Sequence, residues 1–356
     1  MTLIDASSFV PLAAIELAGV SVYIWAVFVG AVFFFLALDL GIFHRQAHEV
    51  RMREALAWTG IWITLSILFG ISLYLFWDKM QTGSEYSNGE AAMAFLAGYL
   101  VEWSLSVDNI FVFLVVFAYF HVPSKYQHRV LFWGILGALL FRSIFIAVGA
   151  VVLKKFLWTM VLFGLFLIFT GVKLVSAHGK TIDPGKNPVV KLFRRFLPVT
   201  DDYRGQKFLV RENGKLFATP LLVALVVVEF TDILFAVDSV PAIFAITHEP
   251  FLVFTSNVFA ILGLRSLFFA VAGLMQLFRF LHYGLAIILT FVGVKMLYGY
   301  AAEVYHWQKF PVALSLGVIV GVLAGSIVIS ILKPAEAPEA SQGEEGGSKD
   351  ASHRGH

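Results

Sequence analysis

Two long apolar stretches of the chain carry carboxylates in nearly the same pattern: Glu102-Trp103-Ser104-Leu105-Ser106-Val107-Asp108-Asn109 and Glu229-Phe230-Thr231-Asp232-Ile233-Leu234-Phe235-Ala236-Val237-Asp238-Ser239. Glu102 precedes Asp108 by six residues, Asp232 precedes Asp238 by six, and each motif closes on a small polar residue, Asn109 or Ser239. A carboxylate at bilayer depth costs roughly 2.5–3.5 kcal/mol on insertion scales, so such groups are expected to be functional. Their side chains offer only hard oxygen donors, which suit Mn²⁺, Ca²⁺ and Mg²⁺. Glu102, Asp108, Asn109, Glu229, Asp232, Asp238 and Ser239 are therefore the candidate metal-binding residues. The histidines lie in loops or near span ends (His44, His121, His248, His282), and there is no cysteine. Soft-metal sites, disulfides and thiol redox chemistry are thereby disfavoured. The negative charge of the motifs argues against an anion as the bound species.

The rest of the chain must place these groups in a membrane. Of its 356 residues 59% are hydrophobic, against roughly 45–50% in soluble domains, which makes it an all-α polytopic membrane protein. Nine segments are long enough to cross: 22–43, 56–77, 91–119, 130–152, 156–176, 218–246, 251–274, 281–300 and 311–332. Residues 1–20 lack a basic start and a small-residue cleavage site, so no cleaved leader is expected. The loops after spans 1, 3, 5 and 7 hold Arg45, Arg51, Arg53, Lys125, Arg129, the basic run from Lys180 to Lys215, and Arg279. The opposite side holds only Lys79, Lys154, Lys155 and Lys309. The positive-inside rule then sets the N-terminus outside and the C-terminus in the cytoplasm. Residues 1–332 form the membrane domain. The polar insertion 177–217 contains Asn213-Gly214 between short apolar runs, which predicts a hairpin. It is either a solvated loop or an element that gates the site or docks a partner. Residues 333–356, rich in Ala, Glu, Gly, Ser and Pro, are expected to be a disordered tail.

The motifs head longer similar blocks. Arg142-Ser143 and Gly171-Val172-Lys173 follow the first, and Arg265-Ser266 and Gly293-Val294-Lys295 follow the second. Residues 91–176 and 218–300 are thus two three-span repeats, and an odd number of spans inverts one against the other. Both motifs fall roughly 11 to 20 residues into their spans, near the bilayer centre at 1.5 Å per residue. Six residues turn a helix by about 240°. For Glu102 to join Asp108, or Asp232 to join Asp238, on one ligand, the helix must kink or unwind, as discontinuous transporter helices do. Pro241 favours such a break after Asp238.

Other readings of the same carboxylates stand beside cation binding: a proton relay, structural ion pairs with Arg142 and Arg265, or simple pore lining. Lys173 and Lys295 are expected to snorkel to the interface. Asp39, in Leu38-Asp39-Leu40-Gly41, is expected at the cytoplasmic end of span 1, while Ser256 and Asn257 add neutral oxygens or helix-to-helix hydrogen bonds. A net charge of +2 gives no reason to expect nucleic-acid binding. With no phosphate-binding loop, dinucleotide turn or nucleophilic triad, the chain reads as a non-enzyme without a tightly bound cofactor.

The two motifs and Leu-Asp-Leu-Gly at 38–41 resemble the signatures of the TerC family of integral membrane proteins, a group that includes the Alx-type manganese exporters. The resemblance spans roughly residues 22–332. It implies Mn²⁺ export across a bacterial inner membrane, with the seven residues above at the ion, and a wider kinship with LysE-type exporters. The expectation is a secondary transporter whose partners are a divalent cation and the lipid bilayer, exchanging Mn²⁺ for protons. The alternative is a non-transporting subunit or scaffold of a metal or tellurite stress complex, docking a protein at 177–217. The motifs do not encode an oligomeric state.

Overall fold

A computed structural model of the protein describes residues 16–38, 51–81, 83–176, 190, 193, 195, 197–212, 214–273 and 280–332. Asp39, 177–189, Asn213 and the 333–356 tail lie outside the described residues, as does the side chain of Asp108. Among the described residues, nine long helices stand where nine spans are expected. They are α1 (Val22–Leu38), α2 (Met52–Met80), α3 (Asn88–Tyr119), α4 (Ser124–Lys155), α5 (Thr159–Ser176), α6 (Pro220–Phe244), α7 (Pro250–Gly273), α8 (Leu281–Tyr305) and α9 (Val312–Leu332). Seven are long and apolar enough to cross a bilayer, and α1 and α5 are shorter apolar helices. Two small antiparallel pairs complete the fold: β1 (Glu16–Leu17) with β2 (Val20–Ser21), and β3 (Leu209–Glu212) with β4 (Lys215–Ala218).

Local signals fix the helix ends. Ser87 and Glu90 form a reciprocal capping box that starts α3, satisfying backbone donors the helix itself leaves open. Pro220 opens α6, where a missing N–H costs nothing. The predicted hairpin is present, with Glu212 opposite Lys215 and Gly214 at φ +78° in its turn.

The surface of the bundle is apolar. Phe33, Phe34, Leu68, Ile71, Leu140, Val148, Phe169 and Ile331 are exposed, as expected of side chains facing lipid. The interior holds the polar groups instead. Helix α7 is the central element, with 89% of its apolar window buried, and α3 is next. Each helix of the 91–176 block packs on one of the 218–300 block: α3 on α7, α4 on α6, and α5 on α8. The α5–α8 seam is the closest. A Cβ on Gly164 would lie 2.9 Å from the Gly293 carbonyl oxygen, and one on Gly293 would lie 2.7 Å from that of Gly164. A Cβ on Gly171 would lie 2.8 Å from the Ala286 carbonyl oxygen. Glycine at these positions lets two backbones touch, as small residues do between membrane helices.

The loops sort by end. Ser84, after α2, donates to Glu249, after α6, at 2.9 Å, and Lys309, after α8, pairs with Glu85. At the other end Tyr203 donates to the Phe120 carbonyl at 2.6 Å and binds the segment before β3 to the end of α3. The connections after α2, α6 and α8 thus gather at one end, and those after α3 and α5 meet at the other, as alternate crossings require.

Candidate functional site

The six-residue spacing acts differently from the expectation. Both α3 and α6 are continuous helices through their motifs, and Pro241 lies within the last turn of α6 without interrupting it. The expected unwinding does not occur. Without it, the 240° turn sends Asp232 and Asp238 of α6 to different neighbours. Glu102 and Asp232, the first acids of the two six-residue pairs, are joined instead through Arg142 of α4.

Arg142 lies about midway along its helix and is 1% exposed. Its Nη2 is 2.9 Å from Asp232 Oδ1 and its Nε is 3.2 Å from Asp232 Oδ2, a two-pronged contact suited to the planar fork. Its Nη1 pairs with Glu102 Oε1 and also donates to Ser239 Oγ at 3.3 Å. From α7, Asn257 Nδ2 donates to Glu102 Oε2 at 3.2 Å. Glu102, Asp232, Ser239 and Asn257 are all buried. Four helices therefore converge on two carboxylates that share one guanidinium. Charges removed from water are stable only when paired and hydrogen-bonded, and this arrangement meets that demand.

The other candidates surround this centre. Glu229 is one turn before Asp232 on the same face of α6. Its carboxylate lies against Gly137 of α4, where a Cβ would collide with both of its oxygens, and Oε2 has no hydrogen-bond partner. Asp238 is half-buried and accepts from Thr170 Oγ1 of α5 at 3.5 Å. Asn109 is buried with Nδ2 unpartnered, as is Ser106 Oγ on the same helix. Ser256 packs on Gly98, joining α7 to α3. Among the described residues, no three Asp, Glu or His side chains converge closely enough to hold a metal ion. Of the seven candidates, Glu102, Asp232 and Ser239 are thus gathered by an arginine rather than in a ready coordination sphere.

Sequence reasoning missed Gly137 and Thr170, which carry no charge and no motif. It also misplaced Lys295. That side chain is 8% exposed, donates to the Ile246 carbonyl at 3.3 Å just beyond the end of α6, and lies 5.9 Å from the Phe310 ring centre. The expected span ended at residue 300, but α8 runs to Tyr305, so Lys295 is deeper in its helix than a snorkelling residue. Lys173 is exposed beside Phe169, as snorkelling requires.

Apolar exterior, helical spans and a buried charged centre define a multi-pass integral membrane protein with an ionic core. Residues 87–337 match the model of the Integral membrane protein TerC family, and the chain belongs to that family. It is 49% identical over 315 residues to "Uncharacterized membrane protein STKORF319" of Myxococcus xanthus, covering 88% of this chain and 94% of the relative. It is 46% identical over 308 residues to "Putative membrane-bound redox modulator Alx" of Escherichia coli strain K12, covering 86% and 94%. A 38% identical relative, "Uncharacterized membrane protein", occurs in Rickettsia bellii. No solved structure matches the chain.

Proposed function

We propose that the protein is a secondary transporter that exports a divalent cation, Mn²⁺ above all, from the cytoplasm across the inner membrane. The observation that carries this reading is the centre itself: Glu102 and Asp232, from the middle of two motif helices, share a single guanidinium, and Glu229 stands one turn away with an unpartnered oxygen. Such a centre has oxygen donors and negative charge to spare, which suits a hard cation. The choice of Mn²⁺ and the outward direction follow from the family resemblance, and the orientation with the N-terminus outside follows from the basic loops.

The helix pairing supports two inverted repeats around this centre. Gly171 corresponds to Gly293 in the repeat, and seven residues earlier Gly164 corresponds to Ala286. The close approach of Gly171 to Ala286 is matched by that of Gly293 to Gly164, as a two-fold relation demands. Rocking of one repeat against the other about this seam would expose the centre alternately. Protons are the fitting counter-ion, because carboxylates lose protons to bind metal and regain them to release it. The relative's printed name suggests a redox role. With no cysteine in the chain, thiol exchange cannot come from its own residues, and an influence on redox state through divalent-ion levels is the reading its composition favours.

The test is Mn²⁺ flux in liposomes containing the purified protein, with Asp108→Ala and Asp238→Ala alongside. Wild type is expected to move Mn²⁺ and acidify the opposite compartment, and both variants to lose flux. A wild type that moves no divalent ion, or variants that move it equally well, would leave the docking role of the 177–217 segment as the better account.

A further inference from the structure

Arg142 lies between carboxylates of the two motif helices. Its guanidinium engages both oxygens of Asp232, pairs with Glu102 Oε1 and donates to Ser239 Oγ. These same oxygens, from two motif helices, are ones a divalent ion would use. Hard divalent cations approach oxygen to about 2.0–2.6 Å, nearer than the 2.9 and 3.2 Å of the guanidinium nitrogens on Asp232. An ion at that distance would press its charge against the guanidinium at contact range. The two cannot hold these oxygens together.

The ion-free centre needs a cation all the same, because a pair of uncompensated buried carboxylates is strongly unfavourable. We propose that Arg142 is a tethered cation that fills the ion position in the unloaded protein, leaves it when a divalent ion binds, and returns when the ion departs. The inference rests on the transport reading above and names how its empty state is neutralised. Glu229 is the acid assigned to receive the displaced guanidinium. Glu229 lies one turn along α6 from Asp232, on the same face, and its Oε2 has no hydrogen-bond partner. A purely structural pair would not account for a third acid held beside it with an oxygen unused.

The consequence is mechanistic. The carrier crosses between orientations with Glu102 and Asp232 neutralised by the ion one way and half-neutralised by Arg142 the other, the charge left over being met by the returning proton. Removing the tethered charge should trap the ion. The experiment measures Mn²⁺ binding by calorimetry on purified wild type, Arg142→Gln and Arg142→Lys, and then compares net Mn²⁺ efflux with Mn²⁺–Mn²⁺ exchange in liposomes. Arg142→Gln is expected to bind Mn²⁺ at least about tenfold more tightly, since the competing arginine-bound population is gone. Its net efflux should fall about tenfold or more while exchange, which never needs the empty carrier to return, stays near wild type. Arg142→Lys should fall between the two, because a point charge cannot span both carboxylates. If Arg142→Gln does not fold, Arg142→Lys alone decides: binding no tighter than wild type overturns the proposal. Unchanged or weaker binding in folded Arg142→Gln, or loss of exchange together with net efflux, overturns it as well. Those results leave the transport reading intact. A wild type that binds no divalent cation overturns that reading and this inference together.

Discussion

Substituting Gly293 by alanine probes the tightest approach of one backbone to a glycine among the described residues. In an ordinary helix the change is favourable by about 1 kcal/mol, because alanine loses less backbone freedom than glycine. At Gly293 the new Cβ meets the Gly164 carbonyl oxygen at 2.7 Å, Ile168 Cγ1 at 2.8 Å and the Ile168 nitrogen at 3.0 Å. Two of these three atoms are backbone, so α5 and α8 must separate along the seam, and overpacking of this kind costs about 1–3 kcal/mol. Gly317 on α9 supplies the control, since a Cβ there meets nothing within 4 Å. The propensity gain is common to both substitutions and cancels, leaving Gly293→Ala less stable than Gly317→Ala by about 1–3 kcal/mol. Unfolding in mixed micelles titrated with a denaturing detergent measures the difference. Equal stability of the two variants would refute the close seam. Full rescue of Gly293→Ala by Ile168→Ala would show that a side chain, not the Gly164 carbonyl, is the obstacle.

Gly137→Ala is expected to separate stability from function. Its Cβ would displace only the mobile end of Glu229, so thermal stability should hold or rise while Mn²⁺ affinity falls; unchanged affinity and flux would remove Glu229 from the site. The connection at the end of α3 should respond to alkali. Burial pushes the Tyr203 phenol up to about 12 from its ordinary 10.0, so the folded protein retains this proton where the unfolded chain has lost it. The contribution to stability is full below the ordinary value and disappears as pH rises through the folded one. Protease cleavage within 197–218 should therefore accelerate as pH rises between these values. Tyr203→Phe, which lacks the 2.6 Å hydrogen bond to Phe120, should lose about 0.5–1.5 kcal/mol and show a weaker alkaline dependence. A variant with the wild-type pH profile would acquit Tyr203.

Much of this fold was legible because membrane spans and turns have local causes. Apolar length located the nine long helices among the described residues, and Asn213-Gly214 located the hairpin. The repeated Gly-Val-Lys marked two similar blocks, but not that their glycines meet across the α5–α8 seam. Partner choice was not local. Sequence gives the angle at which a side chain leaves its helix but not which helix stands there, so it grouped Glu102 and Asp232 at one site without showing that Arg142 joins them. Gly137 was invisible for a related reason: its role is to leave room for a carboxylate from another helix, and an absent side chain has no signature of its own.

The expectation of broken helices failed for an instructive reason. It assumed that both acids of one motif serve one ligand, which a continuous helix forbids at a spacing of six. The continuous helices divide the work by direction. Six residues advance a helix by about 9 Å and turn it by about 240°. Asp232 therefore points to Arg142 on α4, while Asp238, further along the same helix, points to Thr170 on α5. Glu102 takes the place on α3 that Asp232 takes on α6, and the same guanidinium binds both. The conservative substitutions should differ accordingly. Asp232→Asn removes half of the counter-charge from a buried arginine and should cost roughly 3–5 kcal/mol, as breaking a buried ion pair does. Asp238→Asn removes an acid that is only half-buried and held by one long hydrogen bond, and should leave stability within about 1 kcal/mol. Comparable losses for the two would mean that the motif acts as one unit after all.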